Sequence, residues 1–336
     1  MASHPPAFFH PSLLALPLGE LSPKVTERAP CPPRRLLAES PPPTDLALPL
    51  GELSPKVTER VPTTPTTPTT PTTPTTPKIT LMKFRLNLAG VPVDVTTQYD
   101  EYYPYFLPYL EKNTGTSPLI PPCPANNRDI PAVEISPRRL QTASRIYPPD
   151  SAAYYVEYME LCPAISSAIT VFDRIVFHAV SFIWKDLAWL VTAPSGTGKS
   201  THYCLWKLLC PDEIQIINGD KPIVYIENDE VFVTTSPWTG KENMSQHLTA
   251  KLGGIIVLEQ SDSNEITRLT VHESAGKVFS QFLFDCNTEQ EAKTACRIAE
   301  KMLKTPVWLL KNRGDIESAK LCRKTLETYL ESSASH

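Results

Sequence analysis

Apolar and polar residues alternate from Lys83 to Ala89 (KFRLNLA), the period of a strand with one buried face. Ser151 to Thr170 places apolar residues three and four apart and is predicted helical. Ile175 to Trp184 (IVFHAVSFIW) is predicted as one strand, Lys185-Asp186 as a tight turn, and Leu187 to Thr192 as the return strand. Thr201 to Leu209 has the helical period. Two strands follow, Ile214 to Asn218 and Ile223 to Ile226. A polar turn at Glu227 to Glu230 then leads to Val231 to Thr235, a hairpin pattern. Gly254 to Leu258 is a further short apolar strand. The last third is expected to be helical. Thr288 with Glu291 fits a capping box, putting Ala292, Cys296, Ala299 and Leu303 on one face. Asp315 is predicted to cap a final helix with Ala319, Cys322, Leu326 and Tyr329 inward. These helices are expected to cover the sheet and carry no chemistry.

The elements predict an α/β fold with a mixed sheet, divided as 1–78, 79–150 and 151–336. In the first segment LALPLGELSPKVTER occurs at Leu14 to Arg28 and again at Leu46 to Arg60, and a threonine-proline tract runs from Pro62 to Pro77. Of the chain's 36 prolines, 19 precede residue 78, and proline at every third position favours open polyproline II geometry over a ladder. Residues 1–78 are therefore expected to be disordered. Because Met82 opens the first alternating strand, the native protein is expected to begin there, with the upstream repeat as translated flanking sequence. The alternative is a genuine proline-rich linker. Residues 79–150 read as a small α+β region. Within it Tyr99 to Leu110 (YDEYYPYFLPYL) is either core packing and a hydrophobic lid or an aromatic ligand platform. Residues 151–336 hold the sheet and its phosphate loop.

The net charge of −4 and the lack of a basic run argue against a nucleic-acid partner. Scattered cysteines without a CxxC pair, and no secretory segment, suit reduced thiols in a cytoplasmic protein. Cys204 and Cys210, on the predicted Thr201 helix, read as buried structural residues. The most apolar stretch, Ile175 to Thr192, contains His178, Lys185 and Asp186 and reads as two strands, so no membrane span is expected.

Ala193 to Ser200, APSGTGKS, fits G-x-x-x-x-G-K-[S/T] except that alanine stands first. It lies between a predicted strand and a predicted helix, where successive backbone N–H groups and the helix dipole face one anion. The nucleotide-binding set is Ala193, Ser195, Gly196, Thr197, Gly198, Lys199, Ser200 and Thr201. Gly196 and Gly198 permit the wrap, Lys199 is expected to reach the β- and γ-phosphates, and Ser200 to ligate Mg²⁺. The plain alternative is a serine-glycine turn before a surface helix.

A phosphate loop of this kind needs a carboxylate near the metal at the end of a neighbouring strand. Asp220, in INGDKP, supplies it, either holding Mg²⁺ or accepting the proton of an attacking hydroxyl. A turn aspartate is the competing reading. His178 is expected on the strand before the loop strand, alternating with Val176 and Val180; alone it reads as a core histidine. Lys241 and Glu242 in SPWTGKEN, Ser236 to Asn243, follow a strand in a rigid bend suited to a site mouth or to an ordinary connection.

The order His178, PSGTGKS, Asp220 and a Pro-Trp-x-Gly loop resembles the kinase domain of HPr kinase/phosphorylase and its bacterial relatives. That domain shares its core with ATP-dependent phosphoenolpyruvate carboxykinase. The resemblance covers roughly Met82 to Leu330 and is most specific over Ile175 to Gln260. It implies an ATP-dependent kinase acting on a serine or threonine hydroxyl of a peptide, protein or small molecule. Mg²⁺ would sit at Ser200 and Asp220, with Lys199, Asp220 and His178 catalytic. Lys221 stands where both families place a second acidic residue, removing a negative charge that would help bind metal or take a proton. The signature by which HPr kinases recognise HPr is not identifiable, so HPr is not the expected partner. HPr kinases are hexamers, and a homo-oligomer of that size or smaller stays open. Two other readings stand beside the kinase: a nucleotide-binding regulatory module without transfer, and a carboxykinase.

Overall fold

Strand alternation at the start of the folded region sets the first layer. In the computed structural model, which describes residues 81–111 and 129–334, β1 (Met82–Leu88) and β2 (Val91–Thr97) pair antiparallel around an Ala89-Gly90 turn. Leu86, Leu88, Val91, Val93 and Val95 point inward. The expected disordered segment, the repeats and the Met82 start lie wholly or partly outside the described residues.

The aromatic stretch folds as a single helical turn, α1 (Tyr103–Phe106), and a 3₁₀ turn at Leu107–Tyr109. Tyr102, Phe106 and Tyr109 are buried, while Tyr105 and Leu107 are exposed, so core packing accounts for most of it. A third strand, β3 (Ala132–Glu134), joins β2 in parallel. The helices α2 (Pro137–Ala143) and α3 (Ala153–Thr170) follow. Leu161, Ile165 and Ile169 of α3 pack under the small sheet. Glu157, also on α3, is buried and accepts from Gln98 N, Tyr99 N and the Tyr102 hydroxyl, which satisfies its charge.

The large sheet uses β4 (Arg174–Phe177), β5 (Val180–Trp184) and β6 (Leu187–Thr192), then helix α4 (Lys199–Leu209). It continues with β7 (Ile214–Asn218), β8 (Ile223–Glu227), β9 (Glu230–Thr234) and β10 (Thr249–Gln260). The remaining elements are β11 (Glu265–Arg268), α5 (Val271–Phe279), β12 (Phe282–Leu283), α6 (Glu289–Met302), β13 (Val307–Asn312) and α7 (Ile316–Ala334). The strand order is β12-β4-β8-β9-β10-β6-β5-β7. Along its other edge β10 pairs first with β9 and then, further on, with β13, which also carries β11. Only the β10–β6, β10–β13 and, in the small sheet, β2–β3 pairings are parallel among the described residues. The fold is thus α/β with a mixed sheet. The described residues fall within one compact unit, and none of their helices is long and apolar enough to cross a membrane.

Three expectations are corrected. The single strand Ile175 to Trp184 is two strands, because the chain breaks at His178-Ala179. There the amides of His178 and Ala179 leave the ladder and donate to Gln281 O at 2.8 Å and Asp220 O at 2.9 Å. β4 then pairs with β8 and β12, whereas β5 pairs with β6 and β7. Secondly, the last third contains β11, β12 and β13 beside its helices; their apolar residues bury in a sheet edge rather than on a helix face. Thirdly, the inward face of α6 is Ala295, Ile298, Ala299 and Met302, with Cys296 exposed. Apart from Ala299, the residues that meet the sheet lie one position before the expected ones; Thr288 caps the helix as expected, while the Glu291 carboxylate accepts from Asn287 N, not Thr288 N. The final helix buries Ala319, Cys322 and Leu326 as predicted.

Candidate functional site

The connection from β6 to α4 is residues 193–198, so the glycine loop does join a buried strand to a helix N-terminus. Gly198 caps α4 at φ 107°, a left-handed conformation that a Cβ would strain. Pro194, Ser195 and Gly196 are exposed at the loop crest. Thr197 ties the loop across itself, its hydroxyl donating to Pro194 O at 2.9 Å. Ser200 and Thr201 lie in the first turn of α4, beside amides that the helix itself leaves unpaired.

Lys199 turns back over the loop. Its Nζ donates to Ala193 O at 2.9 Å and to Pro194 O at 3.4 Å, and the side chain is buried. Burial disfavours the ammonium and lowers its pKa to about 8, with Asp220 opposing and Lys221 adding to the fall. Lys199 therefore lies within electrostatic reach of both residues of the next loop.

That next loop follows β7 and is organised by Asn218. Fully buried, Asn218 accepts on Oδ1 from Asp220 N at 2.9 Å and Lys221 N at 2.7 Å. Its amide donates to Ser236 O at 3.0 Å and Thr235 Oγ1 at 3.2 Å. One side chain thereby pins the carboxylate loop to the segment after β9.

His178 stands in the strand break, not on the predicted strand. Its carbonyl accepts from the Thr192 hydroxyl at 2.7 Å, at the end of β6. Its Nε2 lies 3.4 Å from Asp220 Oδ1. Its buried Nδ1 has no partner among the described residues, so the Nε2 edge is the one turned to the carboxylate. The second Asp220 oxygen, Oδ2, accepts from Lys221 Nζ. Burial pushes the Asp220 carboxyl upward, but His178 and Lys221 outweigh it and hold the group well below the usual carboxylate range. Lys221 is itself raised: burial lowers it, and the Asp220 carboxylate more than compensates.

The bend after β9 closes over this pair. Tyr109 donates to Ser236 O at 2.6 Å, and Ser236 Oγ donates to Lys221 O. Trp238 Nε1 donates to Tyr158 O at 2.9 Å, while the Tyr158 hydroxyl donates to Pro237 O, also at 2.9 Å. Phe106 meets the Trp238 ring edge-on, with centroids 5.9 Å apart. Gly240 (φ 78°) passes so close to the carboxylate that an added Cβ would lie 3.0 Å from Asp220 Cβ and 3.7 Å from Glu242 Oε2. Lys241 and Glu242 are both exposed. Beside the loop a cleft of ≈ 370 Å³ is lined by Thr192, Pro194, Thr197, Gln260, Lys277 and Gln281.

The fold gathers His178, Lys199, Asp220 and the Ser236–Asn243 bend into one neighbourhood. Asn218, Ser236, Tyr109 and Tyr158 were not singled out by sequence. Asn218 alone carried a signal, an Asn two residues before an Asp, which is the pattern of a side chain bonding its own backbone. A divalent ion held with nucleotide phosphates needs only one or two protein ligands, so Ser200 and one carboxylate are enough in number. The Asp220 carboxylate, however, already carries the Lys221 ammonium, and a dication cannot share that oxygen without displacing it. The residues as arranged do not fit the ion.

The fold and this site define a mixed α/β protein with a glycine loop between strand and helix, set beside a half-buried, doubly contacted aspartate. No family model and no curated protein matches the chain. Among solved structures it is similar to the HPr(Ser) kinase/phosphatase from Coxiella burnetii, with 11% identity, 48% of this chain and 99% of that chain covered, and a TM-score of 0.29. A likeness of that size carries no argument about chemistry.

Proposed function

We propose that the chain is an ATP-dependent phosphotransferase, moving the terminal phosphoryl group of ATP to a serine or threonine hydroxyl of a peptide, protein or small molecule. The observation that carries the reading is the juxtaposition of the Lys199 loop with the Asp220–His178 pair.

In this reading the amides of residues 195–200 and the α4 dipole bind the phosphate oxygens. Lys199 leaves its two carbonyls for the β- and γ-phosphates and neutralises charge there. The acceptor oxygen attacks the γ-phosphorus, the bond to the β,γ-bridging oxygen breaks, and ADP leaves with that electron pair. Asp220 takes the acceptor proton, and His178 orients the carboxylate through Nε2–H. Such chemistry asks chiefly for positioning and charge neutralisation. A depressed Asp220 pKa suits a group that orients the hydroxyl early and takes its proton late.

Labelled ATP incubated with the protein and a cell lysate tests the reading. Lys199→Ala should lose roughly 2.7–4 kcal/mol of transition-state stabilisation, about 10²–10³ in rate. Normal turnover by that variant would overturn it. One observation favours a second reading, nucleotide binding without transfer: Lys221 occupies the oxygen through which Asp220 would act. Tight ATP binding with no labelled product would select it.

A further inference from the structure

Lys221 is not a surface lysine that happens to lie near a carboxylate. Its side chain is 14% exposed, and its ammonium rests on Asp220 Oδ2. The main chain on either side of it is fixed as well: Asn218 Oδ1 accepts its N–H at 2.7 Å, and Ser236 Oγ donates to its carbonyl. Asp220 cannot turn away from it freely, because the other carboxylate oxygen faces His178 Nε2 at 3.4 Å. A Cβ at Gly240 would already crowd Asp220 from the remaining side.

The charge is therefore built in. Lys199 and Lys221 both sit within electrostatic reach of Asp220, giving two ammonium groups against that half-buried carboxylate beside the glycine loop, while Glu242, near Gly240, is exposed to solvent. That surplus of positive charge, facing unpaired helix amides, suits a polyphosphate. It repels a second cation at the same carboxylate.

We propose that Lys221 is the resident cation of this site, supplying opposite the glycine loop the charge that a divalent ion would otherwise bring, so that nucleotide polyphosphate binds without metal. The inference rests on the nucleotide-binding reading above. It adds that the bound species is the free polyphosphate anion, and that the Lys221 ammonium, with three N–H donors, contacts its phosphate oxygens while keeping Asp220.

Titration calorimetry of the full chain with ATP and ADP, in EDTA and in excess MgCl₂, tests this. The wild type is expected to bind in EDTA at least as tightly as with magnesium. Lys221→Met should weaken EDTA binding about tenfold or more, the usual size of a lost charge-assisted contact. Lys221→Arg, which keeps the charge, should retain it; this separates lost charge from a disturbed fold. Lys221→Asp should bind only when magnesium is present. Wild-type binding that requires magnesium, or EDTA binding unchanged in Lys221→Met, overturns the inference while leaving the nucleotide reading intact. Silence of the wild type in both buffers overturns the nucleotide reading, and the inference with it.

Discussion

Asn218 Oδ1 accepts the main-chain N–H of Lys221 at 2.7 Å, and that bond aims the carboxylate loop at the glycine loop. The same oxygen holds Asp220 N, and the same side chain reaches across to Ser236. Asn218→Ala orphans two part-buried amides, each costing up to about 1–3 kcal/mol. The variant is expected to melt several degrees lower and to lose nucleotide affinity. A thermal melt with calorimetry on the same sample checks both, and an unchanged affinity would show that the loop holds its place without Asn218.

Gly240→Ala should act directly on Asp220. Its φ of 78° disfavours a side chain, and the new Cβ would stand 3.0 Å from Asp220 Cβ. Phosphoryl transfer should fall more than stability does. Gly276→Ala is the control, since nothing lies within 4 Å of a Cβ there. Being inside α5, it should stabilise by about 0.5–1 kcal/mol with turnover unchanged.

Lys199 fixes an alkaline limit. Its folded pKa is lowered to about 8 from 10.5, first by burial. As pH rises through 8 the free protein loses this ammonium, so affinity for a polyanion should fall, by at most about tenfold per pH unit. Between 8 and 10.5 the unfolded chain still holds that proton, so the same group makes the fold relatively more stable as pH rises. Affinity measured from pH 7 to 10, against a flat profile in Lys199→Met, checks the first sign. A rising affinity would remove Lys199 from the site.

Trp238 anchors the bend over Asp220 from a fully buried position. Trp238→Ala should cost about 3–5 kcal/mol. Tyr158→Phe removes only the bond to Pro237 O and should cost about 1 kcal/mol. Urea unfolding of the two variants measures the difference. Equal costs would mean that the ring–ring contacts contribute little.

Much of the framework was open to reading from local pattern. The Lys185-Asp186 and Asn228-Asp229 turns have left-handed backbones joining strands as expected; Asn and Asp tolerate that conformation, and Lys185 adopts it as the first residue of a two-residue hairpin turn. The strand–loop–helix unit around Gly198 and the buried stripe of α7 followed from periodicity for the same reason: each depends on residues a few positions apart. The break at His178 did not, since IVFHAVSFIW is apolar on both sides of it. What divides that run is the carbonyl of Gln281 and that of Asp220, which no short window contains.

The chain alone determined that a glycine loop would leave an inner strand and open a helix, and that Asp220 would lie just after the next strand. Backbone preference and the burial of alternating residues suffice for that. Tertiary packing decided what distant residues face the carboxylate, His178 on one oxygen and Gly240 close against its stem, whereas Lys221 on the other oxygen is its neighbour in the chain. His178 lies 42 residues before Asp220 and Gly240 20 after it, and both meet the carboxylate because of the order in which strands enter the sheet. Spacing in a sequence cannot encode that order, because side chains so distant meet only once the sheet has closed.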